Sequence, residues 1–190
     1  MGTSGSTSNG ILVSSPHMLD PNFARTVVLL CDYNEEGALG IVVNRTIDID
    51  LDEVLEQMDV PDTRGIQGPV LWGGPVQPGA VFLTFDGESP REDEDEEAPV
   101  FSLAKGLHVS PARDVIEAVA AKADGSAFIS LGYAGWGAGQ LDGEIQEGAW
   151  IVLDVDPDVI FTIPPEKRYD YCLSTLGVSP HLLWMQPINE

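Results

Sequence analysis

The residues whose types and spacing could best form a binding surface lie in a glycine-rich stretch at positions 131–141. Here the sequence predicts the end of an apolar strand and the start of a helix. Glycine lets the backbone adopt positive φ and lets other groups approach closely, and free N–H groups at a helix N-terminus bind anions. The spacing is not G-x-G-x-x-G, however, and no P-loop Lys-Ser/Thr pair follows. Asp142 and Glu144 fall in the next turn, where they repel a phosphate. The sequence therefore favours a structural corner over a ligand-binding loop, and supports a nucleotide site least.

Three short motifs, at 44–45, 72–74 and 135–137, are predicted to lie together at one edge of the sheet and to form a binding site. Arg45 has the planar pair of donors that binds a carboxylate bidentately, and two tryptophans supply flat apolar walls. The alternative is structural: Asn44 caps a turn, Arg45 pairs with surface acids, and both tryptophans lie in the core. The sequence favours this alternative, yet the best prediction of a ligand-binding site is Asn44, Arg45, Trp72, Gly73, Gly74, Gly135, Trp136 and Gly137.

Residues 20–25 offer a further part of the same surface. Asp20 and Asn22 have side chains that form turn hydrogen bonds, and Phe23 is large and apolar. The sequence favours a turn whose phenylalanine plugs the core over a direct role in binding.

No catalytic or metal-binding pattern stands out along the chain. None of the three histidines has metal-ligand spacing with another His, Cys or Glu, and the nucleophile elbow G-x-S-x-G does not occur. We therefore predict a non-catalytic binding or regulatory protein, with no catalytic residue, no metal and no cofactor. The alternative is a hydrolase-type enzyme whose site assembles only in the fold, with Asp20, Asn44, Arg45 and His108 as candidates.

Net charge narrows the classes of partner. The chain has 190 residues, with 9 Lys+Arg against 31 Asp+Glu and a formal net charge of −22. Nucleic acids and anionic membranes attract cationic surfaces, so we predict an unidentified protein or small molecule as the partner instead. The acidic run 91–97 predicts a mobile loop over about 86–98.

The cysteines and the hydropathy pattern indicate a cytoplasmic protein. Cys31 and Cys172 both lie in apolar surroundings, which is typical of buried free thiols in a reducing compartment. No stretch approaches the roughly 20 apolar residues that a membrane span needs.

The order of predicted elements favours an α+β domain. Residues 1–10 are rich in Gly, Ser and Thr and predict a disordered tail before one domain at 11–190. Sequential strands in hairpin-like pairs predict a largely antiparallel or mixed sheet of about seven to nine strands, with three or four helices packed around it. The predicted elements include strands at 127–133, 150–155 and 159–163, and helices at 140–147 and 166–176.

Four motifs, taken in order, resemble the bacterial YqgE/AlgH family: residues 21–30, 37–45, 73–76 and 132–141. The resemblance runs from about Ile11 to about Pro180. It implies a compact fold whose bent sheet forms a pseudo-barrel, and it implies no established biochemical activity. One branch of the family carries the label of transcriptional regulator without a recognisable DNA-binding motif. Direct DNA binding is thus a third alternative, which the net charge opposes.

The chain departs from the family pattern at two positions beside these motifs. Thr46 stands where a proline often follows Asn-Arg, and Tyr33 stands where the family often has histidine. A role that depends on the side chain at position 33 is therefore not carried over to this chain.

Overall fold

The computed structural model describes residues 10–91, 97–122 and 126–176, which form the α+β fold that the sequence predicts. Gly10, the last residue of the predicted tail, begins the first strand; the rest of that tail and residues 92–96 of the predicted acidic loop lie outside the described residues. The strands are β1 (Gly10–Ser14), β2 (Val27–Asn34), β3 (Gly37–Val42), β4 (Leu71–Trp72), β5 (Val76–Asp86), β6 (Phe101–Ser102), β7 (Leu107–Ser110), β8 (Ala127–Gly137) and β9 (Trp150–Asp154). The α-helices are α1 (Leu51–Gln57), α2 (Arg113–Ala120), α3 (Gln140–Gln146), α4 (Pro157–Phe161) and α5 (Pro165–Thr175).

The strands form one sheet in the order β6-β7-β5-β8-β3-β2-β1-β9, in which all neighbours are antiparallel. β4 makes the sheet mixed, because it pairs with β8 in parallel. Within the described ranges the outer strands β6 and β9 do not pair with each other, so the sheet is open. It is nevertheless bent, because β6 reaches β2 across the interior. The prediction of a bent, mostly antiparallel sheet is confirmed.

Three apolar clusters pack against the sheet. On the concave side, apolar side chains from strands at both ends of the sheet pack together and are covered by α4 and α5. Leu29, Val109 and Ile160 are among the buried residues of this cluster. Helices α1 and α2 cover β5 and the first half of β8 on the other side. Helix α3 and residues 15–25 cover the second half of β8 and strands β1 to β3. Because side chains alternate along a strand, β8 contributes to all three clusters.

One predicted strand is a helix. Residues 159–163 were expected to extend, but α4 runs from Pro157 to Phe161 and brings the number of described helices to five. Asp156 caps this helix, since its side chain accepts a hydrogen bond from Asp158 N at 3.0 Å. Pro157 occupies the first helical turn, where its missing N–H is not needed. The Asp-Pro-Asp sequence is therefore a helix start and not a turn between strands.

The glycine-rich stretch also differs from the prediction. The expected strand ended at Tyr133, but β8 continues to Gly137, so only residues 138 and 139 form the turn into α3. Gly132 and Gly139 have positive φ, at 79° and 72°. Most of the stretch therefore lies inside a central strand.

Several local predictions are confirmed. Asp50 is the N-cap of α1 and accepts from Asp52 N at 2.9 Å. Cys31 and Cys172 are both buried and free. Among the described residues no helix combines the length and the apolar composition that crossing a membrane requires.

Candidate functional site

Residues 15–25 form a loop whose backbone is held by Asn44 and Arg45, which follow β3 by two and three positions. Arg45 donates to three carbonyls of the loop: Nη1 to Asn22 O at 2.8 Å, and Nη2 to Pro21 O at 3.1 Å and Ala24 O at 2.7 Å. Asn44 donates to Arg25 O at 2.8 Å and accepts from the backbone of Val27 at 2.8 Å. Four consecutive or near-consecutive carbonyls are thereby fixed by two side chains.

Trp72 lies directly beneath the Arg45 guanidinium, whose Cζ is 5.1 Å from the ring centroid. The two residues are also joined through the backbone, because Trp72 N donates to Arg45 O at 2.8 Å. Burial lowers the pKa of Arg45, and the charge of Asp20 opposes that shift. Within the described part of the chain Arg45 makes no ion pair, so it serves loop carbonyls instead of the surface acids that the structural alternative assigned to it.

Gly73 and Gly74 lie in a narrow gap between β3 and β8. Gly73 N donates to Leu131 O at 2.7 Å, and its carbonyl accepts from Val42 N at 2.8 Å. A Cβ added at Gly73 would lie 2.3 Å from the carbonyl oxygen of Gly132, and one at Gly74 would lie 2.1 Å from the carbonyl carbon of Tyr133. Only glycine fits at these two positions, because the atoms it meets belong to the backbone of the central strand.

Trp136 is buried beneath the loop of residues 15–25, with 6% of its surface exposed. Phe23 stacks on it at a centroid distance of 6.2 Å and meets Trp150 edge-on at 5.6 Å. Glu144 accepts hydrogen bonds from both indoles, at 2.7 Å from Trp136 Nε1 and 3.0 Å from Trp150 Nε1. Phe23 therefore plugs an aromatic core, as the sequence indicates.

The eight predicted site residues do not form one surface. Asn44, Arg45, Trp72, Gly73 and Gly74 are contiguous, and Trp136 lies in the cluster beneath them. Gly135 and Gly137 flank Trp136 in β8, so their open positions face the opposite side of the sheet.

The enzyme alternative gains no common site from this arrangement. Asp20, Asn44 and Arg45 are neighbours, but His108 lies on β7, which β5 and β8 separate from β3. Three strand spacings amount to on the order of 14 Å along the sheet. The described residues also contain no group of three or more His, Cys, Asp or Glu side chains placed to hold a metal ion.

The sequence analysis missed two arrangements. His108 pairs across the sheet edge with Ser102, whose Oγ lies 3.0 Å from Nδ1. Arg168 lies at the concave end of the fold with 5% of its surface exposed. The sequence does indicate that Arg168 is buried, because it precedes Cys172 by one helical turn and so falls on the apolar face of α5.

An open, bent, mostly antiparallel sheet with helices packed against it defines a class of single-domain α+β proteins, and known proteins share this fold. Residues 11–181 match the family model described as AlgH-like, DUF179. The chain therefore belongs to the AlgH-like family, which the four sequence motifs resemble and whose biochemical activity is not established.

Individual relatives extend over nearly the whole chain. A UPF0301 protein of Ralstonia nicotianae is 40% identical over 178 residues, which cover 92% of this chain and 90% of that protein. A UPF0301 protein of Thioalkalivibrio sulfidiphilus is 38% identical over 185 residues, 96% of each chain. The solution structure of AlgH from Pseudomonas aeruginosa has a TM-score of 0.72 at 36% identity and covers 100% of both chains. The protein DIP2367 of Corynebacterium diphtheriae has a TM-score of 0.73 at 20% identity, covering 99% of this chain and 91% of its own, and shares the fold.

Proposed function

We propose that this chain is a non-catalytic binding or regulatory protein whose binding surface is the clamped loop, defined as residues 17–25 together with Arg45 and Trp72. One observation carries the proposal: Leu19 is 93% exposed and lies two residues before the segment 21–25, whose backbone carbonyls are held by Arg45 and Asn44. A leucine that projects from a mobile loop is unremarkable, because water and partial collapse both accommodate it. A leucine held outward on a restrained backbone is suited to enter a recess on another molecule.

The energetics of such a contact are favourable. Full burial of a leucine side chain contributes about 1.5–3 kcal/mol. Ordering a flexible loop on binding normally offsets much of that gain, but here the four loop carbonyls of residues 21, 22, 24 and 25 are already bonded. The ordering cost is therefore reduced for residues 21–25, and more of the gain from burying Leu19 is retained in the affinity.

The chemistry of the partner follows from charge. The chain carries −22 and Asp20 lies beside Leu19 on the exposed loop. A protein that presents an apolar recess with a basic rim is steered towards this surface by the field of the whole chain. The same field disfavours nucleic acid, which needs cationic groups to displace its counterions.

A photo-crosslinking amino acid at position 19 tests the proposal in cells. The matched control places the same amino acid at Val152, another exposed apolar residue (49% exposed) on the distant strand β9. The protein captured only from position 19 is then purified and titrated calorimetrically against Leu19→Ser and Val152→Ser. We expect Leu19→Ser to weaken binding by about 10- to 100-fold, the equivalent of 1.5–3 kcal/mol, and Val152→Ser to leave it unchanged.

Equal binding by the Leu19→Ser variant and the unsubstituted chain overturns the proposal. Sedimentation velocity supplies the other critical outcome: a dimer that dissociates on Leu19→Ser identifies the occupant as a second copy of the chain and not a basic partner.

Substitution of the clamp separates the leucine from the loop that presents it. Arg45→Lys keeps the charge but has one nitrogen where the guanidinium uses two, so it holds fewer of the three carbonyls. We expect faster hydrogen exchange at the amides of residues 20–25 and weaker partner binding although Leu19 is intact. Arg64→Lys, at an exposed arginine paired with Asp62, is the control.

The hydrolase alternative has one observation in its favour. His108 Nε2 lies 2.9 Å from the carbonyl of Gly87, which only accepts, so Nε2 carries the proton and Nδ1 accepts from Ser102 Oγ. A serine that donates to an oriented imidazole is an activated nucleophile. A fluorophosphonate probe tests this reading: labelling that Ser102→Ala abolishes favours a hydrolase, and an unlabelled chain removes this alternative.

A further inference from the structure

A pocket of about 340 Å3 lies where α5 and the end of α4 meet the loop before β4. Its floor is apolar and includes Leu71, Phe128, Ile160 and Phe161. Its rim is formed by the exposed loop 67–69 before β4 and by the segment 162–165 between α4 and α5. The volume is at the lower end of the range for small-molecule sites, which is about 300–1,000 Å3.

Among the described residues that line this pocket, Arg168 alone is charged. Its Nε donates to Ile163 O at 2.8 Å and its Nη1 donates to Val43 O, while no hydrogen bond between described residues uses Nη2. The guanidinium also lies 5.7 Å from the ring centroid of Phe128. Two carbonyls and an aromatic face thus hold the side chain with one nitrogen left over.

The charge of Arg168 has no counter-ion in the described part of the chain. No carboxylate there lies within ion-pair distance of it, although 31 acidic residues are available in the sequence. Buried charges in proteins are normally paired, because desolvation is costly. Burial lowers the pKa of Arg168 to about 10, against the opposing charge of Glu166, so the group is still a cation at neutral pH. An anion that entered the pocket would supply the missing charge.

We propose that this pocket binds a small monocarboxylate with an apolar body, whose carboxylate pairs with Arg168 and whose body packs on Phe128, Ile160 and Phe161. A planar guanidinium with a free nitrogen suits a carboxylate, and an apolar floor suits an alkyl or branched chain. The pocket and the clamped loop have no residue in common, so each proposal has its own test. A free carboxylic acid and the C-terminus of a peptide share this chemistry.

Calorimetric titration of the full chain with three probes tests the proposal. The probes are hexanoate, hexanamide as its uncharged match, and N-acetyl-leucine as the mimic of a peptide C-terminus. We expect at least one of the two carboxylates to bind with a dissociation constant on the order of 1 mM or tighter, and hexanamide to bind at least about 10-fold more weakly. The stronger of the two carboxylates identifies the source of the natural ligand. NMR amide shifts confined to the pocket, at Ala127 and Ile163, are expected to accompany binding.

Three variants locate the site. Arg168→Gln removes the charge, and we expect affinity for the carboxylate to fall by about 10- to 100-fold. Thr162→Trp fills the pocket from an exposed rim position and leaves Arg168 intact, so it keeps the test valid if Arg168→Gln fails to fold. Lys167→Gln, the exposed neighbour on α5 that does not line the pocket, is the control and should bind as the unsubstituted chain does.

Three results overturn the proposal. One is the absence of binding of both carboxylates at about 10 mM. Another is equal affinity for hexanoate and hexanamide. The last is unchanged carboxylate binding in folded Thr162→Trp.

Discussion

Replacing Gly74 by alanine tests whether the segment from Trp72 to Gly74 is fixed by its fit against the central strand. The backbone of Gly74 has φ +151°, a conformation that L residues rarely adopt. An added Cβ would lie 2.1 Å from the carbonyl carbon of Tyr133 and 2.2 Å from its oxygen. Both are main-chain atoms of β8, so no side-chain rotation makes room for the methyl group.

Two costs and one gain set the magnitude. The positive φ costs a non-glycine residue about 1–2 kcal/mol, and an extra methyl group in a packed site costs about 1–3 kcal/mol. The stiffer unfolded chain of the alanine variant returns about 0.4–1 kcal/mol. We therefore expect Gly74→Ala to lower the free energy of unfolding by about 2–4 kcal/mol. For a chain of this size that corresponds to a fall in Tm of about 5–15 °C.

Two other glycines separate the costs. Gly79 has ordinary φ and no atom of the described residues within 4 Å of its added Cβ, so Gly79→Ala should leave stability unchanged or raise it by about 0.4–1 kcal/mol. Gly68 has φ +85° in open space, so Gly68→Ala isolates the backbone cost. Urea unfolding followed by tryptophan fluorescence compares all three variants. A free energy of unfolding for Gly74→Ala within about 0.5 kcal/mol of that for Gly79→Ala would show that the close contact with β8 does not fix this segment.

Three further outcomes follow from buried and paired groups. Glu144→Ala removes the acceptor that two indole N–H groups share, so we expect the free energy of unfolding to fall by about 2–4 kcal/mol; an unchanged urea midpoint would contradict this. The hydrogen bond and charge of Arg91 hold the pKa of Asp114 below its ordinary value. This stabilisation is present above about pH 4 and is lost as the pH falls through the native pKa. A carboxyl NMR titration should show the lowered pKa, and Arg91→Gln should return it towards normal. Burial raises the pKa of both Cys31 and Cys172, the latter to about 11, so Ellman's reagent at pH 8 should label 2 thiols only after unfolding; rapid labelling of the native chain would contradict this.

Elements with a strong local signal were predictable. The strands β2 and β3 are apolar runs on either side of the turn 34–37, and the capping residue Asp50 marks the start of α1 at the right position. In these cases the local pattern and the tertiary environment favour the same structure, so the sequence is sufficient.

Other elements depended on contacts that sequence does not display. The run at 159–163 is short, apolar and β-branched, and such a run has no periodicity to separate a strand from a helix; the cap at Asp156 decides it. The glycines of β8 suggested a turn, but Gly132 is required because the carbonyl oxygen of Gly74 lies 2.4 Å from where a Cβ would stand.

The candidate site was predictable only in part. Asn44, Arg45 and Trp72 do lie together. The acceptors of Arg45, however, are backbone carbonyls of a loop, and residue types do not indicate which carbonyls a side chain will bind. The pocket at Arg168 is formed by segments far apart in the chain, so neither its walls nor its unpaired charge is visible along the sequence.

The pairing of β1 with β9 means that the sheet cannot be completed until β9 has been synthesised. Gly10 pairs with Asp154, and Ser14 pairs with Trp150, so the first strand of the chain waits for the last. A ribosome adds roughly 5–20 residues per second, which leaves one side of β1 without its partner for on the order of ten seconds. During that interval the fully apolar stretch Ile11-Leu12-Val13 is an exposed strand edge of the kind that chaperones bind and that other chains join. This edge of β1 therefore stays uncovered, and the sheet incomplete, until residue 154 has left the ribosome.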